Sequence, residues 1–143
     1  MIHRYFIVLC LSLNCATSVL AEDIVVVVNQ QNGFSKLSRD EIIDIFMGRN
    51  RQLPSGIKAL PLDLPSSEVE REVFYSRLTG KSMSQINAYW ARLILTGRAS
   101  PPTLVGSQEE AMRMVINNRS AVGYMNRSNA NSNVKVVFEL NEK

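Results

Sequence analysis

The sequence predicts an α/β fold: a mixed, mostly parallel sheet flanked by helices. A continuous β-branched run, Ile24-Val25-Val26-Val27-Val28, stands near the start. Further strand-like runs alternate with helical segments, the pattern of α/β layers. Four helical segments each open with the same Ser-x-x-Glu/Gln signature, in which serine oxygen and Glu/Gln side chain satisfy two orphan backbone donors reciprocally. The 143 residues are 45% hydrophobic and 20% charged with net charge +3, the mix of one globular domain, which excludes collagen, coiled coil and disorder.

Residues 1–21 read as a secretory signal peptide. Arg4 marks a short n-region, residues 5–13 are apolar, and Val19-Leu20-Ala21 ends in a small residue before Glu22-Asp23. An uncleaved anchor is the alternative; Asn14, Thr17, Ser18 and the short length count against it. Leu9 and Asn14 precede Cys10 and Cys15, so neither cysteine follows the small residue that lipidation needs.

Residues 22–143 then form a single domain of 122 residues, with 15 basic and 13 acidic side chains and neither cysteine nor histidine. With the leader removed on export, it is expected not to span a membrane and to work in the periplasm. No disulfide can staple it, so an apolar core must hold it. Nucleophile systems built on a histidine base and zinc sites of the usual kind are excluded, and no cofactor or metal is implied. Scattered basic residues and export argue against nucleic acid.

The Ile24–Val28 run carries no polar alternation, which suits a strand buried on both faces, as in a parallel sheet covered by helices. Asn29 to Gly33 break it as a turn. Ser38-x-x-Glu41, Ser67-x-x-Glu70, Ser82-x-x-Gln85 and Ser107-x-x-Glu110 open the helices. Their apolar faces are Ile42, Ile45 and Phe46; Val69, Val73, Phe74 and Leu78; Ile86, Trp90, Leu93 and Ile94; and Ala111, Met112, Val115 and Ile116. Gly48, Gly80, Gly97 and Asn117-Asn118 end them in turn. Strands are expected at 57–62, with Pro61 near an edge, and at 121–125 and 134–140.

Gly80-Lys81-Ser82 resembles the end of a P-loop, but Tyr75 stands where the motif needs glycine, and helix stop plus helix cap explain all three residues. Asn118-Arg119-Ser120 and Asn126-Arg127-Ser128 fit the glycosylation pattern, which is common by chance. Tyr89-Trp90 fits an aromatic platform, but at helical spacing Trp90 fits the core better. Residues 62–68 join a strand end to a helix start, where open α/β sheets bind ligands and a helix N-terminus favours an anion. Plain capping by Ser67, with Asp63 and Glu68 complementing the dipole, fits these residues better, since two carboxylates there would repel an incoming anion.

Several segments, in order, resemble the phosphate-type periplasmic substrate-binding proteins of ABC transporters, with the type 2 periplasmic-binding fold. They are the helix from Leu37 through Ile45-Phe46-Met47 to Gly48, the 57–62 strand, Arg71-Glu72-Val73-Phe74, Tyr89-Trp90 with Pro101-Pro102, and Ala121-Val122-Gly123-Tyr124-Met125. Full-length members close two lobes around an anion; the likeness here is to one lobe. Ser66-Ser67-Glu68 stands where the family offers Ser-Gly-Thr, and Leu62 or Asp63 where it has an arginine. The resemblance implies a non-enzymatic solute-binding-like protein taking phosphate or another small anion at Ser66 and Ser67, with Asn29 and Asn32 of the first-strand turn and Arg71. The alternative is a single-lobe interaction or sensory module docking on a membrane sensor or transporter.

Overall fold

The structure, a computed structural model, describes residues 22–141; the leader read at residues 1–21 lies outside them. Five strands form one sheet in the order β3-β2-β4-β1-β5. They are β1 (Ile24–Asn29), β2 (Leu60–Asp63), β3 (Thr103–Leu104), β4 (Ala121–Asn126) and β5 (Val134–Leu140). The helices are α1 (Arg39–Phe46), α2 (Val69–Thr79), α3 (Met83–Leu95) and α4 (Gln108–Asn117). The α/β class is as expected. The added element is β3, whose two residues are too few to show periodicity.

β2 pairs in parallel with β3 and β4, whereas β1 runs antiparallel to both β4 and β5. Four strands thus share one direction, and β1 alone opposes them. This corrects the parallel setting expected for β1. All six of its residues are buried, but continuous burial reports covered faces and says nothing of direction. Pro61 pairs with Val122 inside the sheet, while β3 begins only opposite Leu62. The missing N–H of Pro61 therefore costs no ladder bond on the β3 side.

Alternation along β4 assigns the helices to faces. Gly123 lies against Val115 and Ala111 of α4. Tyr124 points the other way, stacked on Phe74 of α2 at 3.8 Å between ring centroids and edge-on to Phe46 of α1 at 5.9 Å. Val25 to Val28 form the spine between these layers, each contributing about 1.5–3 kcal/mol by leaving water. Among the described residues, no helix is long and apolar enough to cross a membrane.

Helix starts divide into two kinds. Ser38 and Ser82 form complete capping boxes with Glu41 and Gln85. Ser107 accepts from the Glu110 N–H, but the Glu110 carboxylate reaches Gly106 N instead. Ser67 does not cap: α2 starts one residue later, with Glu68 as N-cap and no side-chain bond. That shift also moves the buried face. Val69 is exposed, and Tyr75 is buried in its place. Ile94 and Ile116, expected in the core, are exposed at the ends of α3 and α4. Asn118 ends α4 in extended rather than left-handed backbone. Gly48, after α1, has φ +72°, and a Cβ there would stand 2.9 Å from the Trp90 ring. Glycine is therefore required both by backbone and by close approach.

Candidate functional site

The carboxyl end of the sheet, where β2 and β4 finish and α2 begins, holds a buried polar cluster. Asp63 closes β2 and is 7% exposed. Arg71 Nε donates to its Oδ2 at 3.1 Å, and the Tyr75 hydroxyl donates to the same oxygen at 3.2 Å. The Tyr124 hydroxyl donates to Oδ1 at 2.6 Å and accepts from the Leu64 N–H at 3.2 Å. One helical turn separates Arg71 from Tyr75, so both project from one side of α2. Burial, and then the Asp63 charge, push both tyrosine hydroxyls well above the usual phenol range. Every oxygen of the carboxylate is used, and its charge is met by Arg71.

Above this cluster runs the loop to α2. Ser66 and Ser67 are exposed, and among the described residues neither hydroxyl has a hydrogen-bond partner. Acids crowd the same place: Glu68 is the N-cap, and Glu70 and Glu72 stand in the first turn. Burial works against a charge on Glu70, but bonds led by that from Asn126 Nδ2 at 2.9 Å hold its carboxyl below the usual range. Glu68 is raised by slight burial and by the hydrogen bond it shares with Glu70. Gln108 Oε1 accepts from the Asn126 N–H at 2.9 Å, tying the start of α4 to the same end. The helix dipole is thus complemented from within, and Arg71 is the cation that bonds into the cluster among the described residues.

Asn29 and Asn32 lie at the opposite, amino end, which corrects the grouping read from the sequence. Val28 pairs with Val122, and Leu60 with Ala121, so β1 finishes where β2 and β4 begin. The antiparallel course of β1 is the physical reason. Both asparagines serve the turn. Asn29 Nδ2 donates to Val115 O and Ile116 O at 2.9 Å, closing the last carbonyls of α4. Asn32 Nδ2 donates to Arg119 O at 3.1 Å. Of the five sequence candidates, Ser66, Ser67 and Arg71 stand at the carboxyl end of the sheet and Asn29 and Asn32 at the amino end.

The remaining candidates are structural. Gly80 is the left-handed C-cap of α2 and Ser82 the N-cap of α3. Trp90 is buried, as expected, and the Tyr89 hydroxyl donates to Met47 O at 2.7 Å. Sequence reading missed Tyr75 and Tyr124 as partners of Asp63. The available signal was a lone acid ending an apolar strand, with Arg and Tyr one turn apart on the next helix.

The fold is shared with solved phosphate-transport receptors. The chain is similar to an ABC-type phosphate transport receptor from Vibrio cholerae, at TM-score 0.64 and 21% identity, over 81% of this chain and 45% of that one. It is also similar to a protein from Clostridium perfringens assigned as a phosphate ABC transporter substrate-binding protein and solved with bound phosphate. There the TM-score is 0.62 and identity 16%, over 81% of this chain and 44% of that one. PstS from Borrelia burgdorferi matches at TM-score 0.56 and 10% identity, over 81% and 46% of the two chains. The chain thus spans less than half the length of these structures. No protein-family model matches the sequence, and no curated protein does.

Proposed function

We propose that this is a non-enzymatic, solute-binding-like protein of the phosphate-transport type, exported to the periplasm with removal of residues 1–21. In this reading it takes phosphate or another small anion at the carboxyl end of β2. One observation carries it: in a fold shared with phosphate-transport receptors, the unpartnered Ser66 and Ser67 hydroxyls stand on the loop ahead of the first turn of α2. Arg71 supplies positive charge beneath them, although its guanidinium already serves Asp63.

Charge makes the site weak. Glu68, Glu70 and Asp63 oppose an anion, and water competes at an exposed loop. Hydrogen bonds to a charged group contribute about 1.5–3 kcal/mol each. Two of them, partly offset by those carboxylates, correspond to a dissociation constant on the order of millimolar.

A thermal-shift series on the purified protein tests this reading. Phosphate raises the melting temperature, and Ser67→Ala abolishes the rise without moving the unliganded value, because Ser67 caps nothing. No rise with millimolar phosphate, sulfate, molybdate or small organic acids sinks it. The same end exposes Val69 (66%) and Leu104 (68%). A second reading, contact with a membrane transporter or sensor protein, would use these two side chains. A photo-crosslinker at Leu104 that reaches no membrane protein contradicts it.

A further inference from the structure

The amino end of the sheet carries a corner that no ligand reading uses. There the turn after α1 meets the turn after α3. Arg51 Nη2 donates to Ser100 O at 2.6 Å, and Gly48 is within van der Waals reach of Ala99. The two segments that meet there, residues 44–58 and 92–100, carry five basic side chains, Arg49, Arg51, Lys58, Arg92 and Arg98, against one acid, Asp44. The sequence explains the imbalance: no Asp or Glu occurs in residues 45–62 or 73–108. The Asp44–Arg49 pair is long, 3.9 Å, and exposed, so it cancels little. Lys58, Arg92 and Arg98 are exposed and have no ion-pair partner among the described residues.

At the same corner α3 ends in two unpacked aliphatic residues, Ile94 at 55% and Leu95 at 88% exposed. On the other segment Arg51, whose Nε also donates to Ile45 O at 3.2 Å, and Lys58 line an open hollow of about 340 Å³ with Asn50, Gln52 and Gly56. A protein groove reads apolar residues at i, i+3 and i+4 along a helix. The residues three and four before Leu95 are Arg92 and Ala91, so the apolar contact is a point, not a stripe. A point of aliphatic carbon at the end of a helix whose neighbouring segments are basic matches a soft interface with apolar depth and surface phosphates.

We propose that this corner docks on an anionic phospholipid surface. Ile94 and Leu95 enter the headgroup layer, and Arg92, Arg98 and Lys58 face lipid phosphates, one of which occupies the hollow at Arg51. Each cation near such a surface contributes enough to change partition by about fivefold.

The test is co-sedimentation with phosphatidylcholine vesicles with and without phosphatidylglycerol, using protein purified from cells expressing the full chain. The protein sediments with the anionic vesicles and stays in solution with the neutral ones, and added salt releases it. The double variant Arg92→Ala/Arg98→Ala lowers partition by roughly 25-fold, and Leu95→Ser lowers it as well. Both sites are exposed, so circular dichroism and melting temperature stay at the parental values. Equal binding to neutral vesicles, no binding to anionic ones, or parental binding by the variants overturns the proposal. So does binding to polyglutamate that matches vesicle binding and ignores Leu95→Ser, since that assigns the corner to an acidic macromolecule.

Discussion

At the carboxyl end of the sheet, Glu68, Glu70 and Glu72 open α2 and Glu109 and Glu110 open α4. At the amino end, α1 and α3 finish beside Arg49, Arg51, Arg92 and Arg98. The two ends belong to one sheet, yet their electrostatics are opposite. Acids gather at helix starts because they complement the dipole, and cations at helix ends for the converse reason. The end at which an open α/β sheet offers a ligand site therefore becomes acidic by default. An anion can be held there only by specific donors. In the proposed reading those are Ser66, Ser67 and Arg71, the last already committed to Asp63.

The contrast breaks most visibly at Asp63. Asp63→Ala leaves Arg71, Tyr75 and Tyr124 without their shared acceptor and is expected to cost about 3–5 kcal/mol, read from urea unfolding. At the other end Lys58→Ala stays within about 0.5 kcal/mol. Equal small losses would show that the carboxyl end is not held by its buried network.

The same network sets an alkaline limit. A phenol whose pKa is raised in the folded state contributes stability that is present below its unfolded value of 10.0 and is lost as pH rises beyond it. Tyr75 and Tyr124 are expected to ionise only with unfolding, so tyrosinate absorbance and loss of the fold rise together above that pH. Tyrosinate formation at Tyr75 and Tyr124 in the folded protein contradicts the account.

A smaller effect sharpens the amino end. Gly48→Ala places a Cβ against Trp90 and Ala99 at positive φ and costs about 1–3 kcal/mol, measured by melting. The smallest contrast lies between two serines. Ser82→Ala removes a capping box and costs about 1 kcal/mol, while Ser67→Ala leaves stability unchanged. Equal costs would return Ser67 to the cap that the sequence assigned it.

These residues also show what was legible in the sequence. The β-branched run, three of the four serine caps and the order of the eight longer elements follow from local chemistry, which residue pattern records directly. Strand direction does not: Ile24–Val28 is buried whichever way its neighbours run. One antiparallel strand then carried Asn29 and Asn32 to the wrong end of the expected site. At α2 a one-residue shift of the cap, from Ser67 to Glu68, exposed Val69 and buried Tyr75. The Asp63 cluster joins residues up to 61 positions apart, a pairing that only the assembled sheet creates.

In the proposed reading a small free anion is met at the acidic carboxyl end through Ser66, Ser67 and Arg71, rather than at the cationic amino end. An amide NMR titration with phosphate tests this directly. Saturable movement of the Ser66, Ser67, Glu68 and Arg71 resonances is expected, absent in Ser67→Ala. Stationary resonances at those four residues, whatever happens at Arg51 and Lys58, would contradict it.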